Sequence, residues 1–179
     1  HILSVQMNPP IDTIKHYLSG LLMISAALLV LSQTAIGQEP PPRPIRINPT
    51  AQILSFGAFY HGASGGTVII DPSGNRTSTG DVVLLGMGYL YSAAMYEVHA
   101  HRGTVISILN GPNVVLNGTP TGTMTLKIGN SLPVSPFVSN VNFNVAIPIY
   151  IGGTLTVGNT AANPPGSYTG TFDITIVRE

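Results

Sequence analysis

The segment from Pro164 to Val177 alternates in polarity. Behind a Pro164-Pro165-Gly166 turn, Tyr168, Phe172, Ile174 and Ile176 share one parity, and Thr169, Thr171, Asp173 and Thr175 the other. Successive side chains of a β-strand point to opposite faces, so a period of two gives one apolar and one wet face. A helix has no use for that period. The segment reads as a final strand, and the rest of the chain must supply apolar surface to cover it.

The preceding sequence obeys the same rule. Strands are expected over Ile53–Phe59, Thr67–Ile70, Ala93–Ala100, Thr104–Leu109, Val114–Leu116, Thr123–Ile128, Val141–Ile151 and Leu155–Val157. Arg76–Thr79 reads as a polar, exposed strand and Val82–Leu85 as a continuous apolar run of an interior one. Turn chemistry falls between them, at Gly65-Gly66, Asp71-Pro72-Ser73-Gly74-Asn75, Gly86-Met87-Gly88, Arg102-Gly103, Asn110-Gly111-Pro112, Asn117-Gly118 and Gly152-Gly153. Pro148 sits on the polar parity of its strand and implies an edge or a bulge there. After the N-terminal leader no stretch carries a helical apolar period. Many short strands punctuated this way predict an all-β fold, specifically a two-layer antiparallel β-sandwich of pilin-like or immunoglobulin-like type.

The N-terminus differs. Residues 1–6 precede Met7 and are expected to be a non-native extension. Lys15 and His16 lead into an apolar run from Leu18 to Leu31, followed by Ala35-Ile36-Gly37. A basic region, an apolar region and a small-residue site, in that order, predict a helical signal peptide over 1–37 that is cleaved after Gly37. The run is short of the ~20 residues a spanning helix needs, so membrane contact is expected only in transit. Residues 38–49 form a proline-rich leader in which Pro40, Pro41, Pro42 and Pro44 favour extended polyproline geometry. Ile45 and Ile47 share a face and read as the start of a short edge strand. A single domain is expected over 50–179.

Charge narrows the partners. Only 8% of residues are charged and the formal net charge is zero. Nucleic-acid binding needs clustered Lys and Arg, so no nucleic acid is expected. Weak self-repulsion makes self-association physically easy. The absence of cysteine excludes disulfides, thiolate metal sites and cysteine nucleophiles.

Four blocks together carry a resemblance: Leu54-Ser55-Phe56-Gly57-Ala58-Phe59 with Gly65-Gly66-Thr67-Val68; Gly74-Asn75-Arg76-Thr77 with Val82-Val83-Leu84-Leu85; Ser92 to Val98; and Ile151 to Val157 with Pro165 to Phe172. In this order they resemble the bacterial exported proteins grouped as domain of unknown function 4402, over nearly all of the chain after Asn48. The last block also resembles the final strand of spore-coat-U and pilin-like domains. The resemblance implies an exported β-sandwich of the cell surface, and brings no catalytic residues with it. In one respect the chain departs from pilin-like subunits: residues 38–44 are proline-rich where those subunits carry a long alternating donor strand.

Several constellations invite chemistry. His99-Ala100-His101 would project two imidazoles from one face of a strand, with Glu97 on the same parity, a set that could ligate a metal. The alternative is an exposed polar face beside the Arg102-Gly103 turn. His61 lies in a loop. A Ser-His-Asp triad drawing on Asp71, Asp81 or Asp173 has no nucleophile-elbow motif to support it. No catalytic residue, cofactor or metal is therefore assigned. Tyr89 and Tyr91 share parity and could form a stacking platform for a glycan; the alternative is that they cover the end of the sandwich. Ile45, Ile47, Tyr168, Phe172, Ile174 and Ile176 mark the candidate assembly edges.

The expected function is therefore structural: an exported fibre, pilin-like or matrix subunit whose partners are copies of itself or related surface subunits. It would reside at the cell surface or outside the cell, with the periplasm as a station in transit. An adhesin or glycan-binding module is the alternative, and a metal-dependent enzyme comes third.

Overall fold

The computed structural model describes residues 44–179. The signal peptide, the extension before Met7 and the leader as far as residue 43 lie outside the described residues.

Among the described residues there is no helix, and hence none long and apolar enough to cross a membrane. The strands are β1 (Arg46–Pro49), β2 (Ser55–Phe56), β3 (Phe59–Ile70), β4 (Arg76–Leu84), β5 (Tyr91–Ser92), β6 (Ala94–His99), β7 (Val105–Asn110), β8 (Val114–Thr119), β9 (Thr123–Leu132), β10 (Phe137–Val138), β11 (Ile147–Val157), β12 (Ser167–Thr169) and β13 (Ile174–Arg178). All pairings are antiparallel. An eight-stranded sheet runs β1-β6-β11-β9-β8-β12, with β3 also on β11 and β4 on β3. A three-stranded sheet runs β10-β7-β13, and β2 pairs with β5.

The large sheet is built around β11. Its first half, Ile147–Ile151, pairs with β6, and its second half, Gly153–Val157, pairs with β3 along the same side. The other side carries β9 from Tyr150 to Thr156, with a bulge between Ile151 and Gly153. The strand changes neighbour at Gly152. A Cβ there would lie 2.3 Å from the Ile70 carbonyl oxygen, so only glycine lets the end of β3 come this close. The expected Gly152-Gly153 turn is thus a bulge inside a continuous strand. Pro148 lies on β11 before β9 joins, where β6 is the only partner, so its missing N–H costs no ladder bond on the open side.

Alternation then fills the core. Val68 and Ile70 of β3, Val98 of β6, Met124, Leu126 and Ile128 of β9, and Ile149, Ile151, Leu155 and Val157 of β11 are buried in one cluster. Ile106 of β7 and Ile176 of β13 join it from the three-stranded sheet. Each fully buried aliphatic side chain contributes ~1.5–3 kcal/mol.

Several expected boundaries are corrected. Gly65-Gly66 is a bulge within the long β3, opposite Gly80 of β4, and not a turn. Arg76–Thr79 and Val82–Leu85 belong largely to one strand, β4, which pairs only with β3 and so is an edge. Val82 is buried there but Val83 is 55% exposed. Asn117-Gly118 lies inside β8, and the chain reverses at Pro120–Gly122, where the Gly118 N–H donates to the Gly122 carbonyl. Residues 141–146 carry no ladder, and the alternation breaks at Val145, which is 47% exposed. Asn142 turns them instead, its carbonyl accepting the Val145 N–H. The expected final strand is two: β12 closes the large sheet and β13 the small one.

Candidate functional site

Three regions hold the residues singled out by sequence: the β1–β6 seam, the loop before β5, and the free strand edges.

β1 lies on the outer edge of β6, with Arg46 opposite His99, Ile47 opposite Val98, Asn48 opposite Glu97 and Pro49 opposite Tyr96. The seam is polar. Asn48, Thr50 and Gln52 alternate along the chain. Asn48 Nδ2 is 3.4 Å from His99 Nε2, Thr50 Oγ1 donates to the Met95 carbonyl, and Gln52 Nε2 donates to the Ala93 carbonyl. No residue from Arg46 to Ile53 is buried, so hydrogen bonding holds this segment more than apolar contact does.

His99 is 7% exposed and ends β6. Its Nδ1 sits 3.0 Å from the Phe143 carbonyl oxygen, an acceptor, so that nitrogen carries the proton. Its Nε2 faces the Asn48 side-chain amide. His101 lies beyond the strand and stacks on the Phe143 ring at 5.0 Å, while the Arg46 guanidinium lies 5.7 Å from the same ring. The two imidazoles thus converge on Phe143. Both His99 nitrogens are engaged within the protein, and no group of three His, Cys, Asp or Glu side chains is positioned to hold a metal among the described residues. Glu97 is half-buried on β6 opposite both Asn48 and Pro148. Tyr96, beside it, has its hydroxyl pKa raised above the usual value by burial and then by the negative charge of Asp173.

The other acids and histidine serve separate places. Asp71 caps the β3–β4 turn, accepting from the backbone and side-chain nitrogens of Asn75. The Asn75 side-chain bond is the main reason its carboxyl sits below the usual range. Asp81 accepts from the Ser64 N–H, and the Asp173 carbonyl accepts from the Gly111 N–H. His61 Nε2 donates to the carbonyl of Asn163.

The loop before β5 is exposed and apolar. Met87, Tyr89, Leu90 and Tyr91 are 66%, 68%, 86% and 46% exposed. Tyr91 is not a free platform, because the Arg76 guanidinium lies 4.3 Å from its ring centroid. Arg76 also donates to the carbonyls of Phe56, Ala58 and Leu85, tying β4 to the loops around it. Tyr89 is the more open ring.

The edge residues are dispersed. Ile45 packs against the core just ahead of β1, and Ile47 is 41% exposed on it. Tyr168 lies on β12, Phe172 in the crossing between sheets, and Ile174 and Ile176 on β13. Sequence reading missed Arg76, Asn48 and Phe143. Arg76 follows an Asx-type turn and is one of few cations in the chain, which was a usable signal. The partners of Asn48 and Phe143 are distant in sequence, and neither residue carries a local one.

No curated protein and no solved structure matches the chain. A family model described as Domain of unknown function (DUF4402) matches residues 45–177, which is most of the chain and nearly all of its described part. The chain belongs to this domain family.

Proposed function

We propose that this protein is an exported structural subunit of a bacterial cell surface or extracellular matrix. In this reading it is a two-layer antiparallel β-sandwich of pilin-like type, and it associates with copies of itself or related subunits through strand edges. One observation carries the proposal: both larger sheets end in strands with a single neighbour among the described residues, and one of these, β13, carries no blocking residue between Ile174 and Val177. Proteins block free edges with short strands, prolines, bulges or charge. β1 ends in Pro49, the β3–β4 register is broken by a bulge, and β10 and β12 have two and three residues. β13 has five residues in unbroken register on β7, with neither proline nor bulge, and its one charged residue, Arg178, is at its end. Its free side offers backbone donors and acceptors to another strand. The scarcity of charge, 8% of residues, leaves little to keep copies apart.

The test is association of the purified protein. Sedimentation over a wide concentration range and negative-stain microscopy are expected to give ordered multimers or filaments. Replacing Thr175, exposed on β13, with lysine, a charge of the kind that blocks strand edges, is expected to reduce them. A strictly monomeric protein at high concentration overturns the reading.

A second reading rests on the open ring of Tyr89: an adhesin or glycan-binding module using the Met87–Tyr91 loop. A glycan array with the wild-type protein and Tyr89→Ala distinguishes it, and absence of binding to any glycan ends it.

A further inference from the structure

We infer that β13 pairs with itself: two copies of the chain join β13 to β13 antiparallel about a twofold axis, with Thr175 opposite Thr175 of the second copy. The inference rests on the self-association proposed above and names the strand, the partner and the register.

Main-chain direction determines what the free side of β13 offers. The Gly111 N–H donates to the Asp173 carbonyl and the Glu179 N–H to the Val105 carbonyl, one bond at each end of the β7–β13 ladder. Opposed residues of an antiparallel pair alternate between those that exchange hydrogen bonds and those that do not. The register between these two points is unbroken. Thr175 and Val177 therefore also bond to β7, while Ile174 and Ile176 turn their N–H and C=O groups away from it. The neighbouring strand agrees: Ile108, opposite Ile176, donates its N–H to Ser135 Oγ on the side away from β13. Among the described residues no strand lies beside β13 on its far side. An edge of this kind takes up another strand through main-chain bonds.

The side chains decide which strand. A twofold axis perpendicular to the sheet runs two copies antiparallel and keeps their apolar faces on the same side. With Thr175 on that axis, Ile174 of each copy faces Ile176 of the other, and both residues belong to the apolar side that packs on the core. These are the residues whose main-chain groups face outward, so each pair exchanges both of its bonds. Thr175 meets Thr175 on the exposed side, a favourable cross-strand pair. Asp173 then lies opposite Val177 and Glu179 opposite Thr171, so no charge directly faces a like charge. Other registers are worse. An axis between two residues sets an inward side chain against an outward one. An axis on Ile176 sets Asp173 directly against Glu179 on both sides, and like charges so placed repel. An axis on Ile174 pairs β13 with residues 170–173, which are not strand. The contact closes at two copies, so any longer assembly grows from this pair through another edge.

The chain has no cysteine, so a single introduced thiol reports the contact. On the axis Thr175 meets its copy as a pair without main-chain bonds, with Cα atoms ~4.5 Å apart, within disulfide reach. Oxidised Thr175→Cys is expected to give a covalent dimer in roughly tenfold higher yield than Thr169→Cys, an exposed site on the β12 edge. Thr175→Lys and Thr175→Asp alone are each expected to weaken dimerisation about fivefold, because each sets like charges face to face. A mixture of the two, carrying different tags, is expected to restore it as pairs with one chain of each kind. If β13 instead sat on some other edge, mixing would change nothing, and that result overturns the twofold register. Amide hydrogen exchange of the unmodified protein is the independent check. Protection of Ile174 and Ile176 is expected to rise with protein concentration, while Thr175 and Val177, bonded to β7, stay constant. Multimers by sedimentation with neither the Thr175 cross-link nor that protection overturn the inference and leave self-association standing. Monomers at every concentration overturn both.

Discussion

Removing the Arg76 guanidinium tests whether one cation organises the end of the molecule that carries the exposed loop. Its Nη1 donates to Phe56 O at 3.0 Å and Ala58 O at 3.2 Å, its Nη2 to Leu85 O at 3.0 Å, and its plane lies 4.3 Å from the Tyr91 ring centroid. The three acceptors are not equivalent. Ala58 O also accepts the Leu85 N–H, so it keeps a partner when the arginine is gone. Phe56 O and Leu85 O lose their arginine bond, at about 1 kcal/mol each for a half-buried site that water can reach. Loss of the cation–π contact adds about 0.5–1 kcal/mol. Arg76→Met, which keeps the length of the stem, is therefore expected to cost about 3 kcal/mol, a large share of the ~5–15 kcal/mol that holds a domain folded. Arg76→Lys keeps the charge, but a single ammonium cannot span carbonyls on both sides, so it recovers at most half. Urea denaturation followed by far-UV circular dichroism measures both, with an unchanged denaturant slope as the control. A loss under about 0.5 kcal/mol for Arg76→Met, or full recovery by lysine, would refute the argument that the planar fork is what matters.

Ile151→Ala empties a fully buried position in the central strand and is expected to cost about 2–5 kcal/mol, against about 0.5–1.5 kcal/mol for Ile151→Val; thermal melts of the pair give the ratio. Gly66→Ala would place a Cβ 2.1 Å from the Thr79 carbonyl oxygen, forcing β3 and β4 apart. It is expected to lower stability by about 1–3 kcal/mol, and a neutral result would show that the bulge pairing is wrong. Asp71 is charged in its turn, and the Asn75 bonds keep its carboxyl below the ordinary value of 3.8. Its contribution is therefore complete above that value and is lost as pH falls through the lower folded-state titration. The Asn75 amide resonance, followed by NMR in acid, is expected to shift there in the wild type and not in Asp71→Asn.

What was legible in the sequence was the local rule. Parity named Met124, Leu126 and Ile128 as one face, and Ile149 and Ile151 as another, and all five are buried. The Asp71–Asn75 turn and the Arg102-Gly103 turn follow from residue chemistry alone. Glycine was harder to read, because it marks a turn and a close approach with the same letter. Gly65-Gly66 and Gly152-Gly153 looked like turns but are bulges, and what distinguishes them is a backbone neighbour distant in sequence: Thr79 for Gly66 and Ile70 for Gly152. Parity also failed at Val141, Phe143 and Val145. Alternation is necessary for a half-buried strand, yet without a free neighbouring edge there is no ladder to join. The candidate site was legible only in part for the same reason. His99 stood out as a histidine, but Asn48 and the Phe143 carbonyl, which engage its two ring nitrogens, lie 51 and 44 residues away.

The C-terminal segment shows how far a period of two can be pushed. Tyr168 and Ile176 share parity, and both face the hydrophobic cluster, yet they belong to different sheets. The chain pairs with β8 through Thr169, crosses over residues 170–173, and resumes pairing with β7 at Ile174. Parity survives because the crossing spans an even number of residues, so the same side turns inward on each. The bond from the Gly111 N–H to the Asp173 carbonyl anchors the far end of the crossing. A single alternating segment therefore closes two sheets, and each closure leaves a terminal edge. Lengthening the crossing by one residue would reverse the inward face of β13 and expose Ile176 while keeping its composition unchanged. Alternation thus fixes which side of this segment is buried, while the crossing fixes which strands end the two sheets.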